Sequence, residues 1–316
     1  MEKIQNKDIH IINRHSNWSK DSIDNLLKKE IYNSKEAWQQ FLRLFFISLG
    51  IGFTTAGVLF FFAYNWANLH KFIKIGLIEF LIIATIAVVL FSKINLDIKN
   101  ILLTGASILV GVLFAVFGQI YQTGANAYDF FLGWTLSIAI WVAVSNFAAL
   151  WLVFIILINT TFILYTEQIA HNWSSSIILT LLFSLNSLFL LVALFGKSFI
   201  PKMNPPTWFS NILALAVVSF STIGISEGIH NDFETAFGIL CFASALLYFL
   251  GFLYSLKIKS SFYIAIIAFS IICIITSFLI KLSDDAGMFL FISIFLVASI
   301  TLVIKTLIEL QKKWTK

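Results

Sequence analysis

A single acid, Glu79, stands in the middle of an apolar run (Ile75-Gly76-Leu77-Ile78-Glu79-Phe80-Leu81). A carboxylate in hydrocarbon costs about 2.5–3.5 kcal/mol on insertion scales, so it must face protein or water and find a partner. Such a group can take a proton or a cation in a transport cycle, or it can simply bond two helices together. The other concentration of chemistry is the passage 118–129, GQIYQTGANAYD, which sets amides, phenols, a hydroxyl and a carboxylate between two apolar runs. It contributes Gln119, Tyr121, Gln122, Asn126 and Asp129, with Trp134 just beyond. Asn65 and Trp66 close the first apolar run, and Asn159 stands inside a later one. Amide and hydroxyl donors around one carboxylate make a hydrogen-bonding set for a small polar or cationic ligand. The ordinary alternatives are interfacial anchoring for Trp and Tyr, and helix bonding for Asn and Gln, as expected of Asn186.

Catalytic and metal signatures do not emerge. Cys241 and Cys273 lie in apolar runs without metal-ligand spacing, and His10, His15, His70, His171 and His230 are scattered through polar stretches. No phosphate loop, nucleophile elbow or dinucleotide glycine pattern occurs. No catalytic residue, metal or cofactor is therefore expected.

The elements that must hold these residues are membrane helices. Hydrophobic residues make up 59% of the chain and charged residues 12%, with a mean hydropathy of +0.92. That balance rejects a water-soluble globule. The apolar runs lack the alternation of a barrel, and helices are the open-chain way to satisfy a backbone in lipid. At roughly 20 residues per span, ten spans are expected, at 41–64, 72–91, 101–119, 130–144, 148–165, 177–195, 208–226, 235–255, 262–280 and 287–304. Only Ser145-Asn146-Phe147 separates the fourth from the fifth, which predicts a tight antiparallel hairpin. Gly50, Gly52, Gly57, Gly111 and Gly118 would let backbones approach closely.

The fold class is thus all-α and polytopic. Residues 1–40 form a helical cytoplasmic N-terminal segment, 41–304 the transmembrane domain and 305–316 a basic cytoplasmic tail. With the N-terminus inside, Lys71, Lys74 and Lys281 fall outside and the other eighteen of the 21 basic residues fall inside. This supports N-in, C-in topology. Because the net charge of +5 flanks spans, it marks topology and not nucleic acid. In the N-terminal segment, Ile23, Leu26, Leu27 and Ile31 share one helical face that would rest on headgroups or a protein partner.

Gly118-Gln119-Ile120-Tyr121-Gln122-Thr123-Gly124 with Asn126, Phe131 and Trp134 resembles the signature of the bacterial predicted-membrane-protein family catalogued as domain of unknown function 2157. Gly57 with Tyr64-Asn65-Trp66 resembles that family's opening. The resemblance covers the first half of the chain and implies a multi-pass protein of the bacterial inner membrane. It carries no established activity. Asn126 departs from the acid that the resemblance would place there in many relatives.

The leading expectation is a small-molecule or ion transporter with an outward-facing polar pocket. It rests on the ten spans, whose number matches transporters built from two five-helix halves, and on the shared outer-half position of Glu79, Asn65, Gln119, Tyr121 and Gln122. The alternatives are a non-catalytic subunit or sensor, and a membrane-embedded enzyme acting on a lipid-linked substrate. Membrane lipids and a small-molecule or cation ligand are the expected partners.

Overall fold

The computed structural model describes residues 35–65, 69–121, 124–196, 205–283 and 285–314. Among them are ten helices and no strand: α1 (Lys35–Asn65), α2 (Lys71–Phe91), α3 (Leu96–Tyr121), α4 (Ala127–Ser145), α5 (Ala148–Gln168), α6 (Ser175–Phe195), α7 (Thr207–His230), α8 (Thr235–Ile258), α9 (Ser261–Leu282) and α10 (Ala286–Trp314). All ten are long and apolar enough to cross a membrane. The stripe expected at Ile23, Leu26, Leu27 and Ile31 lies outside the described residues.

Local chemistry explains where the helices exceed the apolar runs. α4 starts at Ala127, three residues before the apolar run, because the Asn126 backbone N–H donates to the Asp129 carboxylate at 3.2 Å and satisfies the helix entry. Its end is set by Asn146 in the left-handed conformation (φ 46°), so two residues turn the chain into α5. The expected hairpin follows: the rings of Tyr128 and Tyr165 meet edge to face at 5.5 Å, and the Thr135 and Thr161 hydroxyls meet further in. α10 continues to Trp314 because nothing after Ile304 breaks a helix, and Gln311 Nε2 donates to Ser261 Oγ at 2.9 Å.

The chain divides into two compact units, one ending at Thr123 and the other beginning at Gly124. In the first, α3 packs against both α1 and α2. Its core is Phe62 of α1, Ile78 of α2, and Leu109, Val112 and Val116 of α3. α1 closes on α3 at Gly105, where an added Cβ would stand 2.6 Å from Ile51 Cγ2.

The second unit, α4–α10, centres on Ile155, Phe183, Leu213, Val217, Leu240 and Tyr263. α7 meets its neighbours through Gly224 and Gly228: a Cβ at Gly224 would lie 2.5 Å from Leu240 Cδ2, and one at Gly228 only 2.2 Å from Phe237 Cδ2. This is a Gly-x-x-x-Gly face. Of the glycines singled out from sequence, Gly111 is buried in α3, whereas the other four behave differently. Among the described residues nothing lies within 4 Å of the Cβ position at Gly50, Gly52, Gly57 or Gly118.

Candidate functional site

On α2, Phe72, Ile75 and Glu79 follow one another at i, i+3 and i+7, and so share a helical face. On α3, Leu113, Phe117 and Tyr121 do the same at steps of four, with Phe114 beside them. The two faces flank an open pocket of about 390 Å3 lined by these seven residues. Lys71 Nζ lies 5.9 Å from the centre of the Tyr121 ring, so the N-terminal end of α2 sits beside the C-terminal end of α3. In this antiparallel register Glu79, seven residues or roughly 10 Å from Phe72, stands level with Leu113. Phe117 and Tyr121 form one aromatic wall, their ring centres 4.5 Å apart. The Lys71 ammonium also lies 5.3 Å from the centre of the Phe72 ring. Lys74, by contrast, is buried and off the pocket lining.

The structure therefore brings two of the expected residues, Glu79 and Tyr121, to one pocket. Gln119 does not join them. α3 runs through Tyr121 without ending at Gln119, and a residue two places from Phe117 and from Tyr121 projects about 200° round the helix from both. Gln119 is exposed there. Asn65 is the last residue of α1, while Trp66 and Gln122 lie outside the described residues.

In the second unit the expected residues take parts in helix architecture. Asn126 and Asp129 form the start of α4 described above. Trp134 meets Phe131 in a tilted ring contact, centroids 5.9 Å and planes 32° apart. Asn159 of α5 faces Asn186 of α6 in a reciprocal amide pair: Asn159 Nδ2 donates to Asn186 Oδ1 at 3.1 Å, and Asn186 Nδ2 to Asn159 Oδ1 at 2.6 Å. The remaining N–H of each amide donates to its own helix, at the Ile155 and Leu182 carbonyls, both at 2.8 Å. All four amide N–H groups are thereby used.

One polar constellation escaped the sequence reading. Ser221 and Thr222 of α7, Ser244 and Tyr248 of α8, and Ser270 of α9 form a continuous hydroxyl chain. Ser221 donates to Ser244 at 2.7 Å and Tyr248 to Ser221 at 3.1 Å, while Ser270 lies 2.6 Å from both Tyr248 Oη and Thr222 Oγ1. The i, i+4 spacing of Ser244 and Tyr248 was the available signal. Hydroxyls are nevertheless uninformative in apolar helices, because they bond the carbonyl one turn back, as Thr222 does to Val218 at 2.6 Å. The chain clasps three helices. Tyr248→Phe is expected to lower stability by about 1–2 kcal/mol, since two net hydrogen bonds are lost. Thermal unfolding in detergent checks this, and an unchanged midpoint rejects the clasp.

Residues 19–151 match the family described as Predicted membrane protein (DUF2157). The match takes in α1–α4 and the start of α5, and with them both passages whose residues carried the resemblance. No curated protein and no solved structure matches the chain.

Proposed function

We propose that this membrane protein is a permease for a small molecule or ion, and that the pocket between α2 and α3 is its ligand site. One observation carries the reading: a lone intramembrane carboxylate, Glu79, and a phenol, Tyr121, line the same pocket of about 390 Å3. That volume suits a small ligand. A carboxylate placed at a cost within a span is a functional-site residue by default. The basic asymmetry of the loops supports a bacterial inner-membrane protein with both termini cytoplasmic and this pocket in the outer half.

A sensor or subunit is the second reading. It is favoured by the division after α3, which leaves three of the described helices in one unit and seven in the other, where an inverted-repeat transporter would divide evenly.

Cysteine accessibility separates the two. With Cys241 and Cys273 replaced by serine, Leu113→Cys places a thiol in the pocket. Reaction with a membrane-impermeant reagent from outside intact cells, and also from the cytoplasmic face of inverted vesicles, is the expected result for a permease. Reaction from outside alone supports the sensor. A thiol reached from neither side rejects the site.

A further inference from the structure

Resting on that ligand-site reading, we infer that the α2–α3 pocket selects an organic cation: a charged amine or ammonium carried on an apolar, ring-sized body. The lining contains one formal charge, Glu79, which is negative, and none of the seven residues is basic. Four of the seven, Phe72, Phe114, Phe117 and Tyr121, present aromatic rings, whose faces carry negative quadrupole potential. An anion would meet repulsion from both the carboxylate and the ring faces. A neutral apolar ligand would fill the volume but leave the carboxylate without a counter-charge.

A bare metal ion is equally unsuited. Hard cations need six or more oxygen ligands, and the lining side chains offer oxygen only from Glu79 and Tyr121. An organic cation needs no such shell. Its charge pairs with one carboxylate, its polarised C–H or N–H surface lies on the rings, and its apolar body replaces water along Ile75 and Leu113.

A second observation points the same way. The chain already lays a cation of its own on these rings: Lys71 Nζ lies 5.3 Å from the Phe72 centroid and 5.9 Å from the Tyr121 centroid. Lys71 is exposed at the first residue of α2, where its stem can swing aside. It therefore acts as a tethered competitor that an incoming cation displaces. Relief of competition for the rings helps any ligand, but relief of charge repulsion helps only a cation, so removing Lys71 strengthens cation binding more than neutral binding.

The test uses the full chain in lipid nanodiscs, carrying Leu113→Cys and lacking the native cysteines. Protection of the pocket thiol from an uncharged maleimide is read with three probes of one skeleton: phenylpropylamine, phenylpropanol and phenylpropionate. The amine is expected to protect at a concentration about tenfold lower than the alcohol, equivalent to one charge-assisted contact, and the acid not to protect. Glu79→Gln should bring the amine to the level of the alcohol, and Glu79→Asp, which keeps the charge, should restore part of the preference. Lys71→Gln should lower the half-protecting concentration of the amine by about threefold more than that of the alcohol. Equal protection by amine and alcohol, or a preference that survives Glu79→Gln, overturns the cation assignment while leaving the pocket as a ligand site. Protection by none of the three, or a thiol that never reacts, overturns the ligand-site reading itself.

Discussion

Gly228→Ala will destabilise this protein, although alanine is the better helix former by about 0.8–1.0 kcal/mol. The added Cβ would stand 2.2, 2.6 and 3.0 Å from three atoms of the Phe237 ring. Because the third of these is Cγ, the obstruction is the body of the ring and not a movable tip. Relief requires Phe237 to leave its rotamer or α8 to back away from α7. Overpacking of this kind typically costs about 1–3 kcal/mol. A backward step by α8 would also disturb the next contact up the same face, where Gly224 lies against the fully buried Leu240. Gly228→Leu should cost more than Gly228→Ala. Gly118→Ala is the control, because nothing among the described residues stands within 4 Å of its Cβ position, and helix propensity then favours alanine. Thermal unfolding midpoints in one detergent decide the matter. The packing argument fails if Gly228→Ala melts at or above the parent temperature.

The contrast between Gly228 and Gly118 shows how much could be read from sequence. Ten helices were legible because a bilayer demands apolar runs near a fixed length, and nothing local in the runs contradicts helix. The pairing of Glu79 with Tyr121 was legible in part, since Phe72, Ile75 and Glu79 share a face, as do Leu113, Phe117 and Tyr121. What failed was the assignment of faces. In water the apolar face of a helix identifies the side turned to the core. In lipid both sides are apolar, so periodicity does not separate the glycine that packs, such as Gly105 or Gly228, from one with no near neighbour, such as Gly50. Gln119 parts from Tyr121 for a smaller reason. The apolar run ends at Gln119, but α3 continues two residues further and turns the amide away from the Tyr121 face.

Four interior polar residues of the second unit share an arrangement that separates them from those of the pocket. Asn159, Asn186, Tyr248 and Ser270 point donors and acceptors at each other across helices. Glu79 is instead exposed on a pocket wall whose other polar member is Tyr121. Polar groups closed on one another bind helices, whereas a charge left open to a cavity can bind a ligand. This distinction, and not the tally of polar residues per span, assigns the candidate site to α2 and α3.

The same distinction yields the second large prediction. Asn159→Leu removes one side of the amide pair and leaves the Asn186 amide, 1% exposed, with an N–H and a carbonyl that have lost their partners. Stranding a buried polar group costs about 1–3 kcal/mol. Hydrogen bonds between membrane helices average nearer 0.6 kcal/mol, because the opened state also finds partners, which puts the expected loss at the lower end of that range. Asn186→Leu should cost a similar amount for the converse reason. In the double variant neither amide remains to be stranded, and two leucines of comparable volume fill the α5–α6 contact. Its loss should therefore be smaller than either single loss, giving a coupling energy of about 1 kcal/mol or more. If Asn159 served mainly to hold a ligand, its stability effects would instead be small and independent of Asn186. Unfolding free energies measured through the complete cycle separate these cases. A double variant that loses the sum of the two single losses would show that the amide pair contributes nothing to joining α5 and α6.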